Sequence, residues 1–177
     1  EYTSCVEWNR QVLERLSADP PDYVLTSQRG TKAYDTDGEL TTDAMIEGLR
    51  EAWSTLTSRG TEIVVIADTP HPGMNVYECV SERPNDLTEC TYDRDRYHTD
   101  SAAPLLRRAA EGQPNVHFID MFELICPSSP CAPVIGNVLI YRQGSHITAT
   151  YVESLTPDLA TELLAAGLPA RSDELPD

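Results

Sequence analysis

The sequence predicts an α/β fold, a three-layer α/β/α arrangement on a mostly parallel sheet. Three observations carry that expectation. "TEIVVIADTP", residues 61–70, is a continuous β-branched run, the pattern of a strand buried on both faces. Strand-like and helix-like segments alternate along the chain, with crossovers long enough for parallel pairing. A length of 177 residues and a hydrophobic content of 40% fit one domain, taken as residues 1–177, and argue against disorder.

The elements follow in order. "SCVEWNRQVLERLSA" places Val6, Val12, Leu13 and Leu16 on one helical face, with Trp8 between and Ser4 as the expected cap. "PPDYVLTS" reads as a proline-bounded turn and a short buried strand. Residues 28–40 are polar and glycine-containing, hence a loop. "TTDAMIEGLREAWSTLTSRG" is a helix with Thr41 or Thr42 as cap and Gly60 as stop. After the 61–70 strand comes a long loop reaching about Thr99, of a length that is usually functional or stapled. "DSAAPLLRRAAEG" is a short helix ended by Gly112, "NVHFIDM" a third strand and "NVLIYRQ" a fourth. "TATYVESL" starts a helix that Thr156 and Pro157 restart as cap and first-turn proline. Leu159, Leu163 and Leu164 are its expected buried face, Gly167 its stop, and "ARSDELPD" a frayed tail.

Net charge is −16, from 13 basic and 29 acidic residues, so a phosphate backbone would be repelled and a nucleic-acid partner is not expected. No run of about 18 apolar residues occurs, and the chain opens on charged and polar residues without a signal-peptide pattern.

Five cysteines are present. Cys126 and Cys131 bracket "CPSSPC", and Cys79 and Cys90 bracket a second aperiodic loop. A metal site would prefer closer CxxC-type pairs with a nearby histidine, so two local disulfides, Cys79–Cys90 and Cys126–Cys131, are favoured, with no metal. Disulfides imply an oxidising compartment outside the cytosol. Cys5 is left without a mate, which points to a partner elsewhere, such as upstream of residue 1.

In open parallel sheets, ligands sit beyond the carboxyl ends of the strands. The segments there are "TSQRG", "DTPHPGMN", "IDMFE" and "RQGSH". His117 alternates inside a strand and reads as structural; His98 reads as an exposed loop histidine. His71 sits in a proline-rich turn. His146 follows a Gly-Ser turn and precedes a helix, where local chemistry divides evenly between a solvated ring and a site residue.

"PPDYVLTSQRG", "GTEIVVIADTP", a C…C loop, "VHFIDMFELICPSSPC" and "LIYRQGSHITATYVESL" occur in that order. Together they resemble the carboxy-terminal half to two-thirds of an SGNH-type hydrolase domain, in particular the domain attached to bacterial membrane acyltransferases of the acyltransferase-three family. The likeness spans about residues 3–167, and its most specific parts are the stapled loops and the Y-R-x-x-x-H-[IL]-T corner. It implies a flavodoxin-like α/β/α fold, a serine nucleophile, a histidine base and an aspartate three residues before it. It also implies acyl-ester chemistry on cell-envelope carbohydrate, outside the membrane, with the acyl group delivered by a transmembrane domain of the same polypeptide. No cofactor is implied. By the same resemblance, Cys5 pairs with a cysteine just upstream.

Two departures qualify the likeness. The family's nucleophile lies in a "GDS" motif, which is absent here; Ser4, Ser17, Ser27 and Ser54 lack the strand-to-helix elbow. The expectation is that residue 1 falls after that block, which would leave an open pairing edge or a rearranged sheet. The aspartate position holds Gln143. A carboxylate fixes the histidine tautomer and stabilises the imidazolium, whereas a glutamine amide can accept the same hydrogen bond but carries no charge. The comparable Asp→Asn change in a serine protease costs about 10⁴ in turnover. Asp68 and Asp120, at neighbouring strand ends, are the candidate substitutes. Ser27 and Arg29 stand where oxyanion donors would fall, and Asn75 is a more distant candidate. The readings are therefore an extracytoplasmic SGNH-like acyltransferase domain inactive as it stands, a non-catalytic glycan- or protein-binding module with a decayed site, or a free-standing secreted carbohydrate esterase.

Overall fold

The computed structural model describes residues 3–144 and 146–169. Ser145 and the expected frayed tail, 170–177, lie outside the described residues. In chain order the elements are α1 (Thr3–Ala18), β1 (Tyr23–Thr26), β2 (Ala33–Tyr34), β3 (Leu40–Thr41), α2 (Thr42–Thr57) and β4 (Glu62–Ile66). Then come α3 (Val76–Glu82), a 3₁₀ turn (Thr88–Cys90), α4 (Arg94–Thr99), α5 (Ala103–Ala110), β5 (Val116–Ile119) and α6 (Phe122–Ile125). The chain continues through β6 (Val134–Ile135), β7 (Val138–Leu139), β8 (Tyr141–Gln143), β9 (His146–Ile147), α7 (Ala149–Ser154) and α8 (Thr156–Ala165). The fold is α/β with a mostly parallel sheet and two disulfides. The chain divides into two compact units: residues up to Asp68 with Ala102–Phe118, and Thr69–Ser101 with the chain from Ile119 onward.

The first unit holds the three-stranded sheet, ordered β1-β4-β5, with β1 and β4 parallel from Tyr23↔Glu62 to Thr26↔Val65. Ile63, Val64 and Val65 are fully buried, as the unbroken β-branched run predicts. Ile63 and Val65 join Trp53 and Leu56 of α2 and Leu105, Leu106 and Ala109 of α5 in one core cluster. Burying side chains of this size contributes about 1.5–3 kcal/mol each. Thr41 caps α2, its hydroxyl accepting from the Ala44 N–H at 3.0 Å. Asp68 does similar work for α5, accepting from the Ala102 N–H at 3.0 Å. The far end of α5 is closed by Arg50, whose guanidinium donates to the carbonyls of Arg108, Ala109 and Glu111.

α1 departs from expectation. It begins at Thr3, so Ser4 lies inside the helix rather than capping it. Only Leu13 and Leu16 pack against the core, while Val6 and Trp8 are 53% and 62% exposed. The apolar stripe continues past the surface that covers it.

The second unit is built differently. Its core gathers Val76, Tyr92, Ile125, Ile140, Tyr141 and Tyr151 with the cystine pair Cys126–Cys131. The expected loop up to about Thr99 contains α3, the 3₁₀ turn and α4, stapled by Cys79–Cys90. The two stapled segments meet at an antiparallel bridge between Tyr92 and Cys131, with Tyr92 N–H donating at 3.2 Å and Cys131 N–H at 2.9 Å.

"NVLIYRQ" does not join the parallel sheet as a fourth strand. It divides into β7, which pairs with β6, and β8, which pairs with β9. Gly136 and Asn137 both take positive φ (57° and 64°), the geometry of a two-residue hairpin turn that matches strand twist. α8 starts at Thr156 with Leu155, not Thr156, at its N-cap position, and it has no buried residue; Leu164 is 51% exposed.

Candidate functional site

The corner that carries His146 is a short hairpin. Tyr141 pairs with Ile147 and Gln143 with His146, with an irregularity between Tyr141 and Gln143 and Gly144 at φ +53°. Residues directly opposite on antiparallel strands project to the same face, with Cβ atoms about 4.5–5.5 Å apart. Gln143 thus stands beside His146, and both are exposed.

Three anchors hold the hairpin. Tyr141 is fully buried and its hydroxyl donates to the Pro70 carbonyl at 2.8 Å. Thr148 N–H donates to Ile140 at 2.8 Å, and its hydroxyl donates to Leu139 at 2.6 Å. The same threonine caps α7, accepting from the Tyr151 N–H at 3.2 Å. Residue 146 is therefore fixed between a buried tyrosine and a capped helix start.

The other expected residues lie as follows. Ser27 and Arg29 fall just past the end of β1 and are exposed. Asn75 caps α3, its side chain accepting from the Glu78 N–H at 3.4 Å. Asp68 caps α5, as described. His117 is held by Glu62 at 2.6 Å on the neighbouring strand, in keeping with a structural role. Ser27, Arg29, Asp68 and His117 belong to the first unit, and Asn75, Asp120, Gln143 and His146 to the second. Cys79–Cys90 and Cys126–Cys131 are both formed, and Cys5 is a free, exposed thiol among the described residues. Among those residues no group of three His, Cys, Asp or Glu side chains could hold a metal ion, and no helix is long and apolar enough to cross a membrane.

His98 is a correction. It lies on α4, not in an exposed loop, with its side chain 28% exposed. Its ring stacks on Phe122 at 4.1 Å between centroids, and its Nε2 lies 3.9 Å from Asp120 Oδ2. The signal for the helix is in the sequence: Asp93 accepts from the Arg96 N–H at 2.7 Å, as an aspartate cap should. No local pattern announces the ring contact, because Phe122 is 24 positions away in "IDMFELI".

Burial decides the one large aromatic shift in this unit. Tyr92 is 4% exposed, and desolvation of the phenolate pushes its pKa up to about 12. Tyr151 is shifted in the same direction by the same cause.

A family model described as "SGNH domain (fused to AT3 domains)" matches residues 1–161. No curated protein and no solved structure matches the chain.

Proposed function

Because the chain belongs to the family of SGNH domains fused to AT3 domains, we propose that it is the extracytoplasmic module of a membrane acyltransferase that O-acylates cell-envelope carbohydrate. The AT3 domain of the same polypeptide supplies the acyl group and the tether. The two disulfides support the oxidising location. The observation that carries the reading at the level of residues is the hairpin that sets Gln143 beside His146.

In this reading His146 is the proton-handling group of acyl-ester transfer. A base in that role takes a hydroxyl proton as the oxygen attacks the acyl carbon and returns it to the departing oxygen. Gln143 occupies the seat of the acid. Its amide oxygen can accept from the ring N–H but would not offset the imidazolium charge. By their positions in the sequence, Ser27 and Arg29, and as a further candidate Asn75, are the residues we propose as oxyanion donors. With no "GDS" serine in these 177 residues and no charge at Gln143, the chain by itself is expected to have negligible esterase activity. The test is p-nitrophenyl acetate hydrolysis by the isolated chain and by His146→Ala. Turnover at background supports the assignment; robust turnover abolished by His146→Ala would overturn it.

The neutral Gln143 favours a second reading, a non-catalytic module that binds a glycan or partner protein on the same fold. Saturable binding of envelope oligosaccharide, unchanged by His146→Ala, distinguishes it from the first.

A further inference from the structure

We infer that His98 and Asp120 form a second histidine–carboxylate pair, built to present a basic imidazole nitrogen to a hydroxyl-bearing substrate. α4 is short, but its cap and the hydrogen bond from Ser101 Oγ to the His98 carbonyl at 2.7 Å fix the backbone under the ring. Phe122 fixes the ring plane, with an interplanar angle of 38°. The carboxylate is positioned too: Asp120 Oδ1 accepts from the Phe122 N–H at 3.0 Å, and Oδ2 lies on the side of His98 Nε2.

Nε2 is sealed from solvent and has no hydrogen-bond partner, whereas the side chain as a whole is 28% exposed. A buried nitrogen facing a carboxylate is the one that keeps the proton in the neutral ring, so the lone pair falls on Nδ1. When Nδ1 takes up a proton from a hydroxyl, the ring becomes an imidazolium with Asp120 beside it and the face of Phe122 beneath it. The proton is returned to the leaving oxygen at the end of the step, so the pair is unchanged over a cycle. The gap of 3.9 Å exceeds a hydrogen bond, and such contacts in ligand-free sites commonly tighten when substrate is bound.

The remaining charges around the ring are balanced. Arg94 lies over Phe122 at 4.6 Å and is itself paired with Glu123 of α6. On α4, Arg96 is paired with Asp100 at 3.8 Å, and Asp95 is the other acid of the helix. Among the described residues, Asp120 is therefore the carboxylate placed by the ring nitrogen, the partner that Gln143 cannot be for His146. The use of the pair in acyl transfer rests on the proposed function; the pair itself does not.

The experiment is long-range ¹H–¹⁵N NMR of the histidines at a pH where His98 is neutral, with diethyl pyrocarbonate labelling read by mass spectrometry. In the wild-type chain His98 is expected as a single Nε2–H tautomer that is labelled in spite of its buried Nε2. Asp120→Asn keeps an acceptor for Phe122 but can offer its NH2 to Nε2, so it should yield mixed tautomers and severalfold slower labelling of His98. His117 serves as the internal reference, and His146→Ala should leave the His98 signals in place. An Nδ1–H tautomer in the wild type, or tautomers and labelling unmoved by Asp120→Asn, overturns the inference. Neither result depends on esterase activity, so failure here is distinguishable from failure of the proposed function. Should Asp120→Asn unfold, Glu123→Gln with Phe122→Leu tests the stack instead, and labelling of His98 unchanged in both would equally overturn it.

Discussion

Three tyrosines in the second unit invite the same deletion of one oxygen and should respond with different signs. Tyr141 is fully buried and donates to the Pro70 carbonyl at 2.8 Å. Tyr141→Phe removes that bond and leaves the Pro70 carbonyl without this donor at a buried site. The cost of a lost neutral hydrogen bond together with an orphaned acceptor is about 1–3 kcal/mol. For a chain of this size each kcal/mol moves Tm by about 2–4 °C. Tyr151 donates to the Leu124 carbonyl at 2.6 Å at a partly buried site, where water can recover some of the loss. Tyr151→Phe should therefore cost about 0.5–1.5 kcal/mol. Tyr92 differs: its hydroxyl is buried and makes no hydrogen bond of good geometry among the described residues, although Tyr141 lies close enough to favour its ionised form. Its ring meets Tyr97 and Tyr141 edge-on at 6.0 and 5.9 Å, contacts that phenylalanine keeps. Tyr92→Phe thus removes a desolvated group whose one contact, with Tyr141, falls short of good hydrogen-bond geometry, and should be neutral or stabilising by about 1 kcal/mol. Urea denaturation of the oxidised proteins, fitted to the same transition, measures all three. A Tyr92→Phe loss as large as that of Tyr141→Phe would refute the reasoning, because it would mean the Tyr92 hydroxyl is satisfied.

Other outcomes follow from the same structure. Replacing either cystine by a pair of alanines should cost about 2–3 kcal/mol from loop entropy, more for Cys79–Cys90 because its separation is 11 residues against 5, as read from denaturant midpoints. Gly73→Ala should destabilise by more than about 1 kcal/mol, since φ is +68° and an added Cβ would lie 2.5 Å from the Tyr97 ring; a wild-type midpoint would refute it. Tyr92 should also set an alkaline limit. Its folded pKa, about 12, is raised above the usual value near 10, so above about pH 10 the unfolded chain ionises first and stability falls by roughly 2–3 kcal/mol as pH rises toward 12. Tyr92→Phe should flatten that part of the stability–pH curve.

The sheet was legible where one segment decides its own state. Residues 62–66 need no partner to read as a doubly buried strand, and Thr41 and Gly60 mark the ends of α2 by their own chemistry. Both cystines were legible because each cysteine pair brackets an aperiodic loop at a spacing that suits metal ligation poorly. "NVLIYRQ" misled because a short apolar run says that it is buried and not with what; the turn pair Gly136–Asn137 was the signal for a hairpin. For α1 the periodicity was correct and the covering surface was not, since amphipathicity does not state how far the neighbour extends. The His146 corner was visible as a motif, whereas the pair at His98 depends on Phe122 and Asp120 arriving from another element.

The bridge between Tyr92 and Cys131 closes a circuit. From Cys79 through its cystine to Cys90, across the bridge to Cys131, and through the second cystine to Cys126, the backbone is clamped at every junction. Gln143 and His146 are exposed and lie outside that clamp. A corner suspended from an independent frame can exchange one side chain for another without the frame registering the change. Such an architecture lets reactivity be gained or forfeited at the rim while the bracket that displays it persists.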